Sequence, residues 1–157
     1  VFNERNKVKI LALDLATKTG WAHSSGSSGV QSFALRRGDS PGMRYLQLGA
    51  WLSRVYKTEP FDLLVYEQPH YRGGHATEVL VGMVTKCQEW VAENKMEVTS
   101  RHTSEVKKHA TGKGNSGKEE MMKAAWEKWP SLDLIDDNHV DALWLLDLVM
   151  SEMEMIG

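Results

Sequence analysis

Apolar residues fall along this chain in two rhythms: short unbroken runs, and stripes repeating at three- and four-residue steps. Val8–Asp14 (VKILALD) is a short apolar run that ends on an acid, the pattern of a buried strand. Phe61–Glu67 (FDLLVYE) repeats it, again closing on an acid. Between them, Gly20–His23 and Val30–Leu35 flank Ser24–Gly29, a Ser/Gly turn, and so predict a hairpin. Pro41-Gly42 precedes a helix from about Met43 to Tyr56. From His75 to about Glu93, residues Ala76, Val79, Leu80, Met83, Val84, Cys87, Trp90 and Val91 share one helical stripe. Val81 lies off that stripe and points to a second buried surface. Met96–Thr99 reads as a short strand. Ser116–Glu119 has the S-x-x-E spacing of a capping box, predicting a helix to about Trp129, with Pro130 as its stop. The last helix, about His139 to Met150, is apolar nearly all round and so well buried.

This order of elements predicts one α/β domain over residues 1–157, a mixed five-stranded central sheet flanked by helices. No internal repeat or long linker divides the chain. The six tryptophans sit mostly in amphipathic or buried patterns and are expected in the core. A single cysteine, Cys87, excludes an internal disulfide and fits a reducing compartment such as the cytoplasm. No apolar run approaches the roughly 18 residues of a membrane span. The first residues lack the apolar core of a secretory signal. No Met opens the chain, as expected of a trimmed protein.

A net charge of −2 argues weakly against a nucleic-acid partner, but its distribution argues the other way. Between Arg101 and Lys118 lie Lys107, Lys108, Lys113, His102 and His109, opposed only by Glu105. From Asp133 onward the chain carries Asp136, Asp137, Asp141, Asp147, Glu152 and Glu154 with no Lys or Arg. Such asymmetry suits cations on phosphate and carboxylates on metal. Two solvated faces would give the same asymmetry.

Asp14 and Glu67 stand at strand C-terminal ends, where sites gather in open α/β sheets. Asp141 opens the buried last helix. If that helix crosses the sheet, three carboxylates converge where unpaired charge is costly. Mg2+ or Mn2+, hard cations that prefer oxygen ligands, would resolve the repulsion. Two such ions about 3.5–4 Å apart can activate water and stabilise the leaving oxygen of a phosphoryl displacement. Singly, each acid also has a structural reading: Asp14 capping a turn, Glu67 pairing with a lysine, Asp136, Asp137 or Asn138 capping the last helix.

Four stretches stand in series: Leu11–Ala22 (LALDLATKTGWA), Val65–Pro69 (VYEQP), the basic segment Ser104–Gly114 with Gly117–Met121, and Asp137–Leu143 (DNHVDAL). Together they resemble the RuvC-type Holliday junction resolvases, members of the RNase H-like superfamily. The resemblance implies an RNase H-like fold and a homodimeric, metal-dependent endonuclease. Such an enzyme nicks opposed strands of a four-way DNA junction symmetrically. The short length and Ser/Gly turn suggest a phage or viral member. Asp14, Glu67 and Asp141 match family metal ligands. The fourth ligand does not carry over, because Asn138 stands where the family has Asp or His. Asp137, one residue earlier, shares a helical face with Asp141, and His139 is a further candidate. The resemblance gives Lys107 and Lys118 roles near the scissile phosphate.

Lys118 opens its helix, where a cation opposes the macrodipole, an arrangement that makes sense if phosphate binds there. After Glu67, the loop His70-Tyr71-Arg72-Gly73-Gly74 places aromatics and an arginine beside glycines, suited to stacking on exposed bases. The DNA-contacting set expected from sequence is thus His70, Tyr71, Arg72, Lys107, Lys108, Lys113 and Lys118. Gly112–Lys118 also fits G-x-x-x-x-G-K, but Glu119 stands where a phosphate-binding loop needs Ser or Thr, so an ATPase is not expected. A sugar-kinase or actin-like ATPase would also need two such domains. The alternatives that stay open are a broader flap or fork nuclease and a non-catalytic module for branched DNA.

Overall fold

The computed structural model describes residues 7–70 and 73–156. Five strands form one sheet in the order β3-β2-β1-β4-β5. Strand β1 (Ile10–Asp14) is central, because its residues through Leu13 are buried on both faces. It pairs antiparallel with β2 (Lys18–His23), which pairs antiparallel with β3 (Ser28–Ser32). On its other side β1 pairs parallel with β4 (Leu63–Glu67), and β4 pairs parallel with β5 (Glu97–Arg101). The hairpin strand β3 starts and stops earlier than the apolar run Val30–Leu35 suggests. Beyond Ser32 the chain leaves the ladder: the Phe33 N–H bonds Thr17 O, and the Phe33 ring joins the core.

Strand alternation divides the interior into two layers. Leu11, Leu13 and Leu64 face helices α1 (Met43–Thr58) and α2 (Gly74–Glu93), packing with Leu48, Leu52, Met83 and Trp90. Ile10, Ala12, Leu63 and Val65 face the opposite way. They pack against α3 (Thr103–Thr111), α4 (Lys118–Lys128) and α5 (Asp137–Ile156). Val140, Ala142, Leu143, Trp144, Leu145, Leu146, Leu148 and Val149 of α5 are all buried, so its nearly all-round apolar surface is used. Val81 is 45% exposed, so any second surface it serves lies outside this chain.

The glycine at position 20 brings α5 onto the sheet. A Cβ there would stand 1.9 Å from the Asn138 carbonyl oxygen, so only Gly lets the start of α5 lie on β2. Asp136 caps α5, its Oδ1 accepting the His139 N–H at 2.9 Å. The cap of α4 is displaced by one residue from the expected box. Gly117 is the cap residue and Glu120 Oε1 accepts its N–H at 3.4 Å, while Ser116 turns inward to Thr111 and the Lys113 carbonyl. Trp126 departs from the core expectation at 60% exposure, whereas Trp51, Trp90 and Trp144 are buried. Among the described residues, no helix is long and apolar enough to cross a membrane.

Candidate active site

The register fixes the first two acids. Leu13 of β1 lies beside Tyr66 of β4 in a parallel pair, so the next residues, Asp14 and Glu67, stand side by side at the strand ends. Asp14 continues the alternation of Ile10 and Ala12, and Glu67 that of Leu63 and Val65, which puts both on the α5 face. Asp141, one turn into α5, descends onto the same point. One carboxylate oxygen from each of Asp14, Glu67 and Asp141 lies within 4.8 Å of the others.

Three carboxylates this close raise one another. Burial, then Glu67, Asp141, Asp137 and Asp136, hold Asp14 well above the usual carboxyl range. Burial, then Glu67 and Asp137, push Asp141 up to about 7, although Lys107 and Lys118 pull the other way. Glu67, 8% exposed, is raised by burial against the opposing Thr103 hydroxyl and the charges of Lys107 and His70. Among the described residues its Oε2 is the buried side-chain oxygen left with no hydrogen-bond partner. Buried polar atoms are normally paired. Three clustered carboxylates, one with an orphan oxygen, are a donor set of hard oxygens that fits a divalent ion such as Mg2+ or Mn2+.

Around this trio the expected site residues separate. Lys107 of α3 acts on both Glu67 and Asp141, and Lys118 on Asp141. Lys118 Nζ lies 3.0 Å from Asp137 Oδ2, a solvent-exposed pair that leaves the ammonium accessible. Lys108 and Lys113 are exposed, away from the carboxylates' immediate partners. His70 lines a cleft of about 430 Å³ beside Glu67, with Tyr66, Gln68, His102 and Thr103. Tyr71 and Arg72 fall outside the described residues.

The three candidates for a fourth ligand differ in what already holds them. Asn138 Nδ2 donates to the Lys18 carbonyl at 2.8 Å, fastening α5 to β2. His139 is 2% exposed. Its Nδ1 accepts the Ile135 N–H at 3.1 Å and its Nε2 meets Ser28 Oγ at 2.8 Å. Burial lowers its pKa, against Asp136, in keeping with a neutral ring locked into the fold. Asp137 alone is held by an exposed lysine, and its charge already reaches Asp14 and Asp141.

The G-x-x-x-x-G-K stretch joins two helices, α3 and α4. Gly112 ends α3 in the left-handed conformation at φ 88°, so a helix and not a strand precedes the loop. Sequence reading missed Thr103. It opens α3 and turns its hydroxyl to Glu67, and its only prior signal was its place just after a short strand.

No sequence-family profile matches the chain, and no curated protein matches it. Solved structures do. The chain is similar to RuvC of Thermus thermophilus, with 16% identity and a TM-score of 0.76, covering 94% of this chain and 96% of that one. RuvC of the same organism in complex with Holliday junction substrate gives 14% identity and a TM-score of 0.77, over 95% and 96% of the two chains. The yeast mitochondrial Holliday junction resolvase gives 12% identity and a TM-score of 0.62, over 91% of this chain and 78% of that chain. The fold is the RuvC-type, RNase H-like fold.

Proposed function

We propose that this chain, built on the RuvC-type fold, is a structure-selective endodeoxyribonuclease. It would resolve four-way DNA junctions by paired, symmetric hydrolysis of phosphodiesters. The observation that carries the reading is the meeting of Asp14, Glu67 and Asp141 at one point, with a Glu67 oxygen left unpaired. A purely DNA-binding surface gains nothing from three acids aimed at phosphate, and they are intelligible if Mg2+ or Mn2+ lies between them and the strand.

Asp14, Glu67 and Asp141 would hold the metal, with Asp137 completing the set for a second ion. Two such ions supply a water acidic enough to attack at neutral pH and a counter-charge for the leaving oxygen. The protein's own groups do the rest. Thr103 holds Glu67 in its ionised orientation by donating to it. Lys107, on the α3 face turned to the acids, neutralises the charge that builds on the phosphate oxygens during displacement. Lys118 meets an approaching phosphate at the start of α4, where free backbone N–H groups also point outward. His70, with the neighbouring Tyr71 and Arg72, contacts bases or backbone as the strand leaves the site. Lys108 and Lys113 add charge along the path.

Symmetric cutting needs two sites in fixed relation, hence a homodimer. Tyr45 packs directly over Gly82 where α1 meets α2, and beside that contact Leu46 is 63% and Val81 45% exposed. These apolar side chains suit a surface shared with a second copy.

The test is cleavage, with Mg2+ and with Mn2+, of labelled four-way junctions, flaps, forks and linear duplex side by side. Junctions should be cut in two opposed strands at equal rates, faster than the other substrates. Equal cutting of flaps and junctions would replace this reading with a general branched-DNA nuclease. Binding without cutting would leave a non-catalytic module.

A further inference from the structure

A second cleft, of about 350 Å³, opens where the edge strand β3 meets α1, lined among others by Gln31, Ser32, Arg36, Gln47 and Arg54. No acid lines it. The nearest carboxylate in sequence, Asp39, accepts the Arg36 backbone N–H at 2.8 Å and leaves the guanidinium alone. Among the described residues, Arg36, Arg44 and Arg54 enter no ion pair. Arg36 and Arg54 are exposed. Arg44 is 9% exposed and donates from Nε to the Phe33 carbonyl at 3.1 Å, which pins the segment leaving β3 against α1 and so builds one wall. Among the described residues β3 pairs with β2 alone and forms the edge of the sheet on this side, where its Ser32 carbonyl accepts from Gln31 Nε2 at 3.3 Å.

The register says which end of the sheet the cleft belongs to. Asp14 lies opposite Gly20 on β2, and Lys18 of β2 lies opposite Ser32 of β3. Ser32 and the Arg36 segment therefore leave the sheet at the same end as the three acids, with exposed Lys18 between them. From there the cleft runs along α1 through Gln47 to Arg54, close to two helical turns further on. Arginines outside any ion pair and primary amides at a sheet edge, without a carboxylate, match the donors that nucleic-acid backbones meet.

Resting on the nuclease reading, we infer that this cleft is a second DNA-contact site. It takes the phosphodiester backbone of a DNA arm as that arm leaves the catalytic centre. Its contacts are to phosphate and so independent of sequence. They position the junction, while the chemistry stays with the acids and Lys107.

The experiment measures binding of a fluorescent four-way junction by anisotropy over a range of salt, in the Asp14→Asn background. Arg36→Ala with Arg54→Ala should weaken binding by about tenfold near physiological salt and lower the log–log salt slope by about 2, one per lost phosphate contact. Arg36→Lys with Arg54→Lys should keep the slope. Removing two charges at the other end of the sheet, Lys9→Ala with Lys57→Ala, should leave both midpoint and slope unchanged. Unchanged affinity and slope in the alanine pair overturn the inference. So does an equal loss in the Lys9/Lys57 pair, which would reduce the effect to total charge. If the Asp14→Asn chain with all arginines intact binds no DNA, the nuclease reading falls, and this site with it.

Discussion

Asp141→Asn should stabilise the metal-free protein. In the folded chain Asp141 is pushed from 3.8 to about 7 by burial and by Glu67 and Asp137. At about 1.36 kcal/mol for each pH unit, ionising it in place costs on the order of 4 kcal/mol at most. Asp14 and Glu67 share the same repulsion, so removing one charge releases part of it, and we expect a gain of about 2 kcal/mol. For a domain of this size that is roughly 4–8 °C in melting temperature. The pH dependence has a fixed sign. An acid raised in the folded state favours folding fully below its unfolded pKa, and that contribution is lost as pH rises through the folded value. The gap between Asp141→Asn and wild type should therefore be near zero below pH 4, open between pH 4 and about 7, and stay constant above. Thermal melts in EDTA at pH 4, 6 and 8 read it directly. Saturating Mg2+ should reverse the order, since an ion that binds only the folded chain stabilises wild type more than the variant. A variant that melts below wild type at pH 8 in EDTA, or a gap already present at pH 4, would rule out this repulsion. Either would mean that Asp141 makes a favourable native contact.

Gly20→Ala should cost about 1–3 kcal/mol in urea melts, because its Cβ would lie 1.9 Å from the Asn138 carbonyl oxygen. A neutral result would contradict the seating of α5 on β2. Asn138→Ala should lose about 1 kcal/mol with its bond to the Lys18 carbonyl. Asp137→Asn should leave the melt close to wild type but weaken Mn2+ binding in calorimetry. The reverse pattern would make Asn138 the fourth ligand. Lys107→Ala should slow single-turnover junction cleavage by about 100-fold or more while binding falls only a few-fold. A loss confined to binding would remove it from the chemistry.

The elements with a strong period were legible in the sequence. β1 and β4 are short apolar runs, and their final acids could be read as site residues because a strand end has only one place to point. The nearly all-round apolar pattern of α5 announced its burial, and with it the approach of Asp141. What local pattern could not give is partner choice. Residues 137 and 138 both lie within a helical step of Asp141, and their roles divide only because Gly20 lets the β2 backbone come close enough for Asn138 to bond it. The α4 cap moved because Ser116 found better partners in Thr111 and the Lys113 carbonyl. Trp126 fits a helical pattern yet faces solvent, since α4 buries only a narrow side through Met121 and Ala125. The arginine cleft joins Arg36 to Arg54 across a loop and a helix, a pairing that no spacing rule encodes.

In the proposed mechanism three converging carboxylates hold the metal that cuts DNA. Single-turnover cleavage of a labelled four-way junction by wild type and by Asp14→Asn, each with Mg2+ and with EDTA, tests it most directly. Paired nicks are expected from wild type with Mg2+ alone, and no cleavage from Asp14→Asn although it still binds the junction. Undiminished cutting by Asp14→Asn, or by wild type in EDTA, would contradict it.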